Sequence, residues 1–216
     1  MSADWLHWHQ PYLDPTSPLS RRLATVQQHL VKALDSARTG TIRLVSLCAG
    51  QGHDVLGVLS THPRAGDVVA RLIELDPRNV LLARASARDL GLAQVDIVCA
   101  DASSTRAIGA GRVDVVMLCG IFGNISDAHV EGTIGQLPTL CAPRASVIWT
   151  RHRREPDLTP LVRSWFEATG LESVAFDAPD DALFAVGTQR FVGTPRPRSG
   201  DVQLFDFLGD GALGHS

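Results

Sequence analysis

Residues 42–54, IRLVSLCAGQGHD, constrain the fold of this chain more than any other stretch. The apolar run Ile42–Leu47 is shorter than a usual helix and is followed by small residues, which is typical of a buried parallel strand. Gly50 and Gly52 then permit a tight turn whose backbone no side chain covers, before a helix that begins near Asp54. A strand, a glycine turn and a helix in this order predict a nucleotide-binding turn in an α/β fold.

A carboxylate follows at the end of the next apolar run. Residues 68–75 form this second predicted strand, and Glu74 lies at its carboxyl end, where a carboxylate can accept hydrogen bonds from both hydroxyls of a ribose. A dinucleotide fingerprint needs a third small residue where Val55 stands, and a branched side chain there obstructs close helix packing. The sequence therefore disfavours a nicotinamide-dependent oxidoreductase, which stays as an alternative.

The turn Cys48-Ala49-Gly50-Gln51-Gly52 resembles the glycine motif of class I S-adenosylmethionine-dependent methyltransferases. The stretches RLIELDPRNVLLAR, IVCADAS and VDVVMLCGIFGNI follow in the order and spacing of that family's later motifs. Two positions depart from the family pattern: Ser46 replaces an acidic residue and Cys48 replaces a glycine. The resemblance implies an α/β fold, a Rossmann-like three-layer αβα sandwich whose seven-stranded, mostly parallel sheet has one antiparallel strand.

The same resemblance implies S-adenosylmethionine as the cofactor. The residues expected to bind it come from four segments: Ala49, Gly50, Gln51 and Gly52; Glu74 and Leu75; Asp101 and Ala102; Cys119 and Gly120. Asp101 is expected to reach the adenine amino group, with the cap of a short helix after Ser103 as the alternative.

Candidate catalytic and substrate-binding residues follow the fourth and fifth predicted strands. The loop Cys119–Asn124 leaves the sheet at the predicted topological switch point, where ligands bind in open α/β sheets. We expect Phe122 to contact the substrate and Asn124 either to orient the substrate or to cap a turn. The fifth strand is predicted over Ala145–Thr150, so Arg151 and His152 begin a loop in which Arg151 binds an acidic substrate and His152 acts as general base. A solvated charged loop is the alternative.

The amino-terminal segment concentrates aromatic residues. Trp8 and Tyr12 are expected to contact the substrate if this segment is a lid; the alternative is an arm that packs on its own domain or on the second subunit of a homodimer. We predict three parts: an aromatic arm and helix (1–40), the cofactor-binding domain (41–192) and a tail (193–216). His7 and His9 lack a nearby carboxylate or cysteine, so no metal site is predicted.

Composition limits the class of partner. A net charge of −3 and a pI near 6.2 give no basic surface for nucleic acid, and no apolar run is long enough to span a membrane. The protein is therefore expected to be cytoplasmic and to act on a small molecule. The four cysteines contain no C-x-x-C pair and are expected to be reduced, mostly buried thiols.

These features together predict an enzyme, a metal-independent methyltransferase for a small molecule. The Asn/Asp-Pro-Pro-aromatic element of amine and glutamine methyltransferases is absent after the fourth strand. Cys119 and Arg151-His152 stand where a magnesium-dependent catechol methyltransferase would have carboxylates. Oxygen is the favoured acceptor, with nitrogen and carbon open. A non-catalytic cofactor-binding or protein-interaction module and an aminopropyltransferase are the further alternatives.

Overall fold

The computed structural model describes residues 17–208 of the 216. In chain order the elements are α1 (Pro18–Asp35), β1 (Ile42–Leu47), α2 (His53–Leu59), a short 3-10 turn (Ala65–Asp67), β2 (Val68–Glu74), α3 (Pro77–Asp89), β3 (Val95–Cys99), α4 (Thr105–Ile108), β4 (Val113–Leu118), α5 (Asp127–Leu140), β5 (Cys141–His152), α6 (Thr159–Ala168), β6 (Leu171–Asp177) and β7 (Phe184–Phe191).

The strands form one seven-stranded sheet in the order β3-β2-β1-β4-β5-β7-β6. Strands β1 to β5 pair in parallel, and β7 runs antiparallel to both β5 and β6. The predicted fold class is confirmed, including the single antiparallel strand. The strand order reverses between β1 and β4, so the carboxyl ends of these two strands form the topological switch point.

Helices cover both faces of the sheet. On one face, α1, α2 and α3 bury Leu30, Val55 and Val80 against the sheet residues Leu72 and Ile148. On the other face, α5 and α6 bury a second cluster against the sheet, in which Trp149, Phe166 and Phe122 are fully buried. Helix α1 is therefore part of a layer of the sandwich.

Helix starts follow the local sequence. Ser17 caps α1 by accepting a hydrogen bond from the backbone N–H of Ser20 at 3.1 Å, and Pro18 occupies the first turn. Asp76 caps α3 in the same way, accepting from the N–H of Arg78 at 2.8 Å before Pro77 opens the helix. Sequence signals of this kind place both helices to within a residue or two.

Strand β5 is longer than predicted. It was expected over Ala145–Thr150 but runs from Cys141 to His152. Arg144 has a left-handed φ of 65°, and the strand accommodates it as an irregularity, with Val113 opposite Cys141 and Val115 opposite Ser146. At its carboxyl end, β5 pairs with β7 through His152, which lies opposite Phe184.

Candidate functional site

A cavity of about 720 Å³ opens at the carboxyl edge of the sheet, at the switch point between β1 and β4. Its walls come from α1, from the turn after β1, from the ends of β2 and β3, from the loop after β4 and from the carboxyl-terminal tail. The lining residues are Arg22, Leu23, Val26, Cys48, Ala49, Gly50, Gln51, His53, Asp54, Glu74, Leu75, Asp76, Pro77, Arg78, Asn79, Asp101, Ala102, Ser103, Cys119, Gly120, Asn124, Gln203, Phe205, Asp206, Phe207 and Leu208.

The glycine turn after β1 is held in a conformation that few residues other than glycine adopt. Cys48, Gly50 and Gly52 have φ angles of 54°, 55° and 72°. Gly52 is also sterically required, because a Cβ built there would lie 2.8 Å from Cδ2 of the buried Leu72. The turn therefore exposes backbone to the cavity, as its glycines predicted. Gly52 itself does not line the cavity; it caps α2 and packs against β2.

Glu74 joins the turn to the end of β2. Its Oε2 accepts a hydrogen bond from the N–H of Gly50, and its Oε1 accepts one from the N–H of Asp76, both at 2.8 Å. These two bonds fix the carboxylate at the cavity wall. Each oxygen keeps a second lone pair that can accept a hydrogen bond from a ligand. Leu75 follows on the same wall with 67% of its surface exposed.

Asp101 lies at the end of β3 and forms a local turn with Ser103, whereas the residue that caps α4 is Ser104. Its Oδ1 accepts hydrogen bonds from the backbone N–H and the Oγ of Ser103, at 2.9 and 2.6 Å. The residue also lines the cavity beside Ala102. The hydrogen bonds from Ser103 thus orient Asp101 without removing it from the cavity wall, and its role toward adenine stays a prediction.

The loop after β4 brings Cys119, Gly120 and Asn124 to the cavity. Gly120 has a φ of 77° and donates its N–H to Oγ1 of Thr150 at 2.9 Å, which ties the loop to β5. Asn124 donates from Nδ2 to the carbonyl of Gly120 at 2.7 Å, so its side chain closes the loop. The Oδ1 atom of Asn124 has no hydrogen bond within residues 17–208 and can accept one from a ligand.

Two predicted substrate-binding residues lie in the core instead. Phe122 is fully buried between Trp149 and Phe166, with ring centroids 6.2 Å from each. Arg151 is 7% exposed, and its guanidinium donates to the carbonyl of Phe122 and, at 3.1 Å, to Asp127. Neither residue lines the cavity, so the expectation that Phe122 and Arg151 contact a substrate there is wrong. Arg151 supports the loop from behind.

His152 also does not line the cavity. Because β5 extends to this residue, its ring is set by strand pairing and lies against Gly123, where an added Cβ would approach Cδ2 to 2.9 Å. Its Nδ1 is buried and has no hydrogen-bond partner among residues 17–208. Burial, followed by the charges of Arg151 and Arg154, lowers the pKa of His152 below its usual 6.5. The predicted position of a general base at the ligand edge is thus corrected.

The tail contributes a wall that the sequence did not predict. Leu204 and Phe205 are buried, and the backbone N–H of Leu204 donates to the carbonyl of Ser103 at 2.7 Å. Further along, the N–H of Leu208 donates to the carbonyl of Asn124 at 2.9 Å. The tail thereby crosses from the loop after β3 to the loop after β4. The only sequence signal was its run of apolar residues, which had to pack somewhere.

Asp54 was not predicted as a site residue, because the sequence indicated only that a helix begins near it. It lies in the first turn of α2 and lines the cavity with Arg22 of α1. Burial raises the pKa of Asp54 to about 6, against the smaller opposing effects of its backbone hydrogen bonds and of Arg22. The charge of Asp54 in turn helps raise the pKa of Cys119, for which burial is the main cause.

The four cysteines are free, but their burial differs from the prediction. Cys141 is buried, which raises the pKa of its thiol to about 12. Cys48 and Cys119 are half-buried at the cavity, and Cys99 is exposed. The expectation of mostly buried thiols is wrong for Cys99, because the edge strand β3 leaves its last residue uncovered.

The two remaining predicted substrate-binding residues, Trp8 and Tyr12, lie outside the described residues with the rest of the aromatic arm. Within residues 17–208, no cluster of three or more His, Cys, Asp or Glu side chains could hold a metal ion. No helix in the same range is both long and apolar enough to cross a membrane.

Comparison of the sequence with protein-family models and with curated proteins gives no match. Solved structures do match. Magnesium protoporphyrin IX methyltransferase from Synechocystis PCC 6803, solved with bound SAM, is 15% identical with a TM-score of 0.64, covering 88% of this chain and 91% of that one. An O-methyltransferase family protein from Burkholderia thailandensis is 18% identical with a TM-score of 0.59, covering 82% of this chain. This chain spans 60% of that protein's length.

The cyclase SpnF has a similar structure too, at 15% identity and a TM-score of 0.58, covering 75% of this chain and 79% of that one. A shared fold therefore does not decide the reaction, which depends on the residues of the site. At these identities the comparisons establish architecture. The chain has the fold of class I S-adenosylmethionine-dependent methyltransferases.

Proposed function

We propose that this protein is an S-adenosylmethionine-dependent, metal-independent methyltransferase that acts on a small molecule, with oxygen as the favoured acceptor atom. The observation that carries the proposal is the link between Glu74 and the turn. A carboxylate bound at 2.8 Å to the N–H of Gly50 faces a cavity at the switch point of the sheet. The cavity volume of about 720 Å³ is within the range of about 300–1,000 Å³ that small-molecule sites occupy.

The residues present fit an adenosyl donor. Glu74 would accept hydrogen bonds from the ribose hydroxyls through its second lone pairs, and Asp101 would accept from the adenine amino group. Leu75 and Ala102 supply apolar surface for the adenine ring. Ala49, Gly50 and Gln51 form the part of the turn that lines the cavity. Cys119 and Gly120, which also line the cavity, would hold the donor's methionine portion. The fold neighbour solved with bound SAM supports the same cofactor for this chain.

The bound donor would supply a methyl group activated by its sulfonium, for transfer by in-line displacement. The protein's own contribution is to hold the two reactants collinear and to exclude water. Asn124 fixes the loop after β4 through Gly120, and its Oδ1, which has no hydrogen bond within residues 17–208, can accept the hydrogen of an acceptor hydroxyl at the cavity. The tail residues Phe205 and Phe207 add aromatic surface to the cavity wall.

The proposed substrate site differs from the one expected from sequence. Phe122, Arg151 and His152 are omitted because they do not line the cavity. Asn124 is retained from the sequence prediction, the tail residues Asp206 and Phe207 are added because they line the cavity, and Trp8 and Tyr12 stay as predictions. A small molecule is favoured over nucleic acid because the net charge is −3. Cytoplasmic location and a homodimer also stay as predictions.

Calorimetric titration with S-adenosylmethionine and S-adenosylhomocysteine tests the cofactor assignment. We expect Glu74→Gln to weaken binding of both ligands by about 1–3 kcal/mol, because an amide cannot accept at both oxygen positions. Asp96→Asn is the matched control, since Asp96 pairs with Arg71 on the neighbouring strand and does not line the cavity. A wild-type protein that binds neither ligand would overturn the proposed function.

Turnover separates an enzyme from a binding module. Wild-type protein is incubated with methyl-labelled donor and a panel of phenols, carboxylates and amines, with and without a chelator. Label transfer that the chelator does not reduce supports the proposal, and the labelled product identifies the acceptor atom. Tight donor binding with no transfer to any class supports the non-catalytic alternative instead.

A further inference from the structure

A second cavity, of about 590 Å³, lies away from the switch point. Gly109 and Arg112, just before β4, and Thr139, near the end of α5, form part of its wall. It is therefore near the amino ends of β4 and β5, whereas the cavity described above opens at carboxyl ends. The tail supplies a further part of the wall through Arg198 and Asp201, so we call this space the tail cavity. The two cavities have no lining residue in common.

The charged groups of the tail cavity are three arginines and one carboxylate, namely Arg106, Arg112, Arg198 and Asp201. The carboxylate is already engaged. Its Oδ1 accepts a hydrogen bond from the N–H of Arg106 at 2.9 Å, and its Oδ2 lies 3.4 Å from Nε of the same arginine. Within residues 17–208, neither Arg112 nor Arg198 forms an ion pair. The cavity therefore presents two positive charges that no described carboxylate neutralises.

Main-chain carbonyls hold both of these guanidinium groups. Arg112 donates from Nη1 to the carbonyl of Cys141 at 3.1 Å and from Nη2 to that of Arg196 at 3.0 Å. Arg198 donates from Nη1 to the carbonyl of Gly109 at 2.6 Å. Carbonyls accept hydrogen bonds but carry no net charge, so they fix the guanidinium groups without neutralising them.

Arg198 lacks an acceptor as well as a counter-charge. Its Nη2 is buried and has no hydrogen-bond partner in the described part of the chain. Burial, followed by the positive charge of Arg112, lowers the pKa of Arg198 below its usual range. A buried donor without an acceptor and two like charges close together both cost free energy. An anion bound beside Arg112 and Arg198 would relieve both costs.

A phosphate group fits this arrangement better than a carboxylate. It carries about 1.5–2 negative charges at neutral pH and three acceptor oxygens, and a guanidinium can donate to two of those oxygens at once. A carboxylate has one negative charge and would neutralise only one of the two arginines. The cavity volume of about 590 Å³ also leaves room for a larger molecule that bears the phosphate.

We propose that the tail cavity is a binding site for a phosphate group, free or as part of a small molecule, with Arg112 and Arg198 as its ligands. The site does not depend on the proposed function, because S-adenosylmethionine carries no phosphate and the two cavities are lined by different residues.

Calorimetric titration of the full-length protein with inorganic phosphate and with ribose 5-phosphate tests this inference. Potassium chloride holds the ionic strength at about 0.15 M, so that weak attraction to exposed charges is screened. We expect saturable binding of one ligand per chain and no measurable binding of ribose. Tighter binding of ribose 5-phosphate would identify the ligand as a phosphate ester, and tighter or equal binding of inorganic phosphate would identify it as the free ion.

Arg198→Gln should weaken binding of both phosphate ligands by about tenfold or more, because it removes a charge-assisted hydrogen bond and one of the two positive charges. Arg196→Gln is the matched control. It makes the same change two positions earlier in the tail, at an exposed arginine whose Nη2 donates to the carbonyl of Gly135 and which does not line the cavity. Phosphate affinity of this control should stay within about twofold of wild type.

Three results would overturn the inference. Wild-type protein that binds neither phosphate ligand has no such site. Equal weakening in Arg196→Gln and Arg198→Gln would mean that the tail attracts anions only through its overall charge. An unchanged affinity in Arg198→Gln, with the circular dichroism of wild type, would mean that the phosphate binds elsewhere. None of these results bears on the proposed function, which the titration with S-adenosylhomocysteine tests separately.

Discussion

On the β1–β2 side of the cavity, the functional groups are close in sequence and depend on the backbone. Gly50 and Glu74 are 24 positions apart and are joined by one hydrogen bond from a main-chain N–H. On the β4–β5 side, the wall is assembled from the loop after β4 and the distant tail, joined where Leu208 donates to the carbonyl of Asn124. The two sides therefore differ in the sequence separation of the residues that form them.

The difference also concerns side-chain direction. On the β1–β2 side, glycines expose the backbone, so the site does not depend on where a side chain points. On the β4–β5 side, function depends on which residues face the cavity, and the register of β5 sends Arg151 toward the core and places His152 against Gly123. A shift of one residue along a strand reverses the face that each side chain occupies. Backbone-built sites are consequently easier to recognise from sequence.

The largest effect is expected from the tail, which tests whether the distant part of the β4–β5 side is integral to the fold. Phe205→Ala should lower the free energy of unfolding by about 3–5 kcal/mol, because it empties a fully buried aromatic position. Phe207, whose ring packs edge-on to that of Phe205 at 5.4 Å but is 46% exposed, provides the control Phe207→Ala. Urea unfolding measures both. If both variants lose similarly little free energy of unfolding, the tail lies on the surface and is not part of the core.

A smaller loss is expected on the β1–β2 side. Gly52→Ala should cost about 2–4 kcal/mol, combining a left-handed φ with overpacking against Leu72. Gly40→Ala is the matched control, since Gly40 has a φ of 86° but no atom within 4 Å of the added Cβ, and so reports backbone strain alone. Urea unfolding gives the difference between the variants. If the two substitutions cost the same, close packing of the turn on β2 is not what requires glycine at position 52.

Sequence was sufficient for the fold class, for strands β1 to β4 and for the glycine turn because those features have local causes. Glycine turns, capping residues and short apolar runs specify β1 to β4 and the turn, and the element bounds agree closely with the prediction. Phe122 was predicted to face a ligand because it stands in the ligand-edge loop, yet its apolar ring is more stable in the core beside Trp149. The position of the tail depends on contacts between residues far apart in sequence, which a local pattern cannot specify.

The smallest effect is expected for His152, and it separates the structural from the catalytic interpretation of the β4–β5 side. Burial lowers the pKa of His152 in the folded protein, so the unfolded chain takes up a proton more readily. Its contribution to stability is complete above the ordinary pKa of about 6.5 and is lost as the pH falls below that value. His152→Gln should therefore flatten the loss of stability on the acid side, while turnover of an accepted substrate stays within about twofold of wild type.

Measuring the difference between wild type and variant cancels the opposing contribution of Asp54, whose raised pKa of about 6 makes the fold gain stability as it takes up a proton. Unfolding curves from neutral pH down to about pH 5 supply that difference. Arg154→Gln is a control with a smaller expected effect, because the exposed Arg154 contributes to lowering the pKa of His152 less than burial does. Its removal should reduce the loss of stability at acid pH by less than His152→Gln does. A large fall in turnover of His152→Gln with donor affinity intact would return His152 to the mechanism and show that the β4–β5 side rearranges around its substrate.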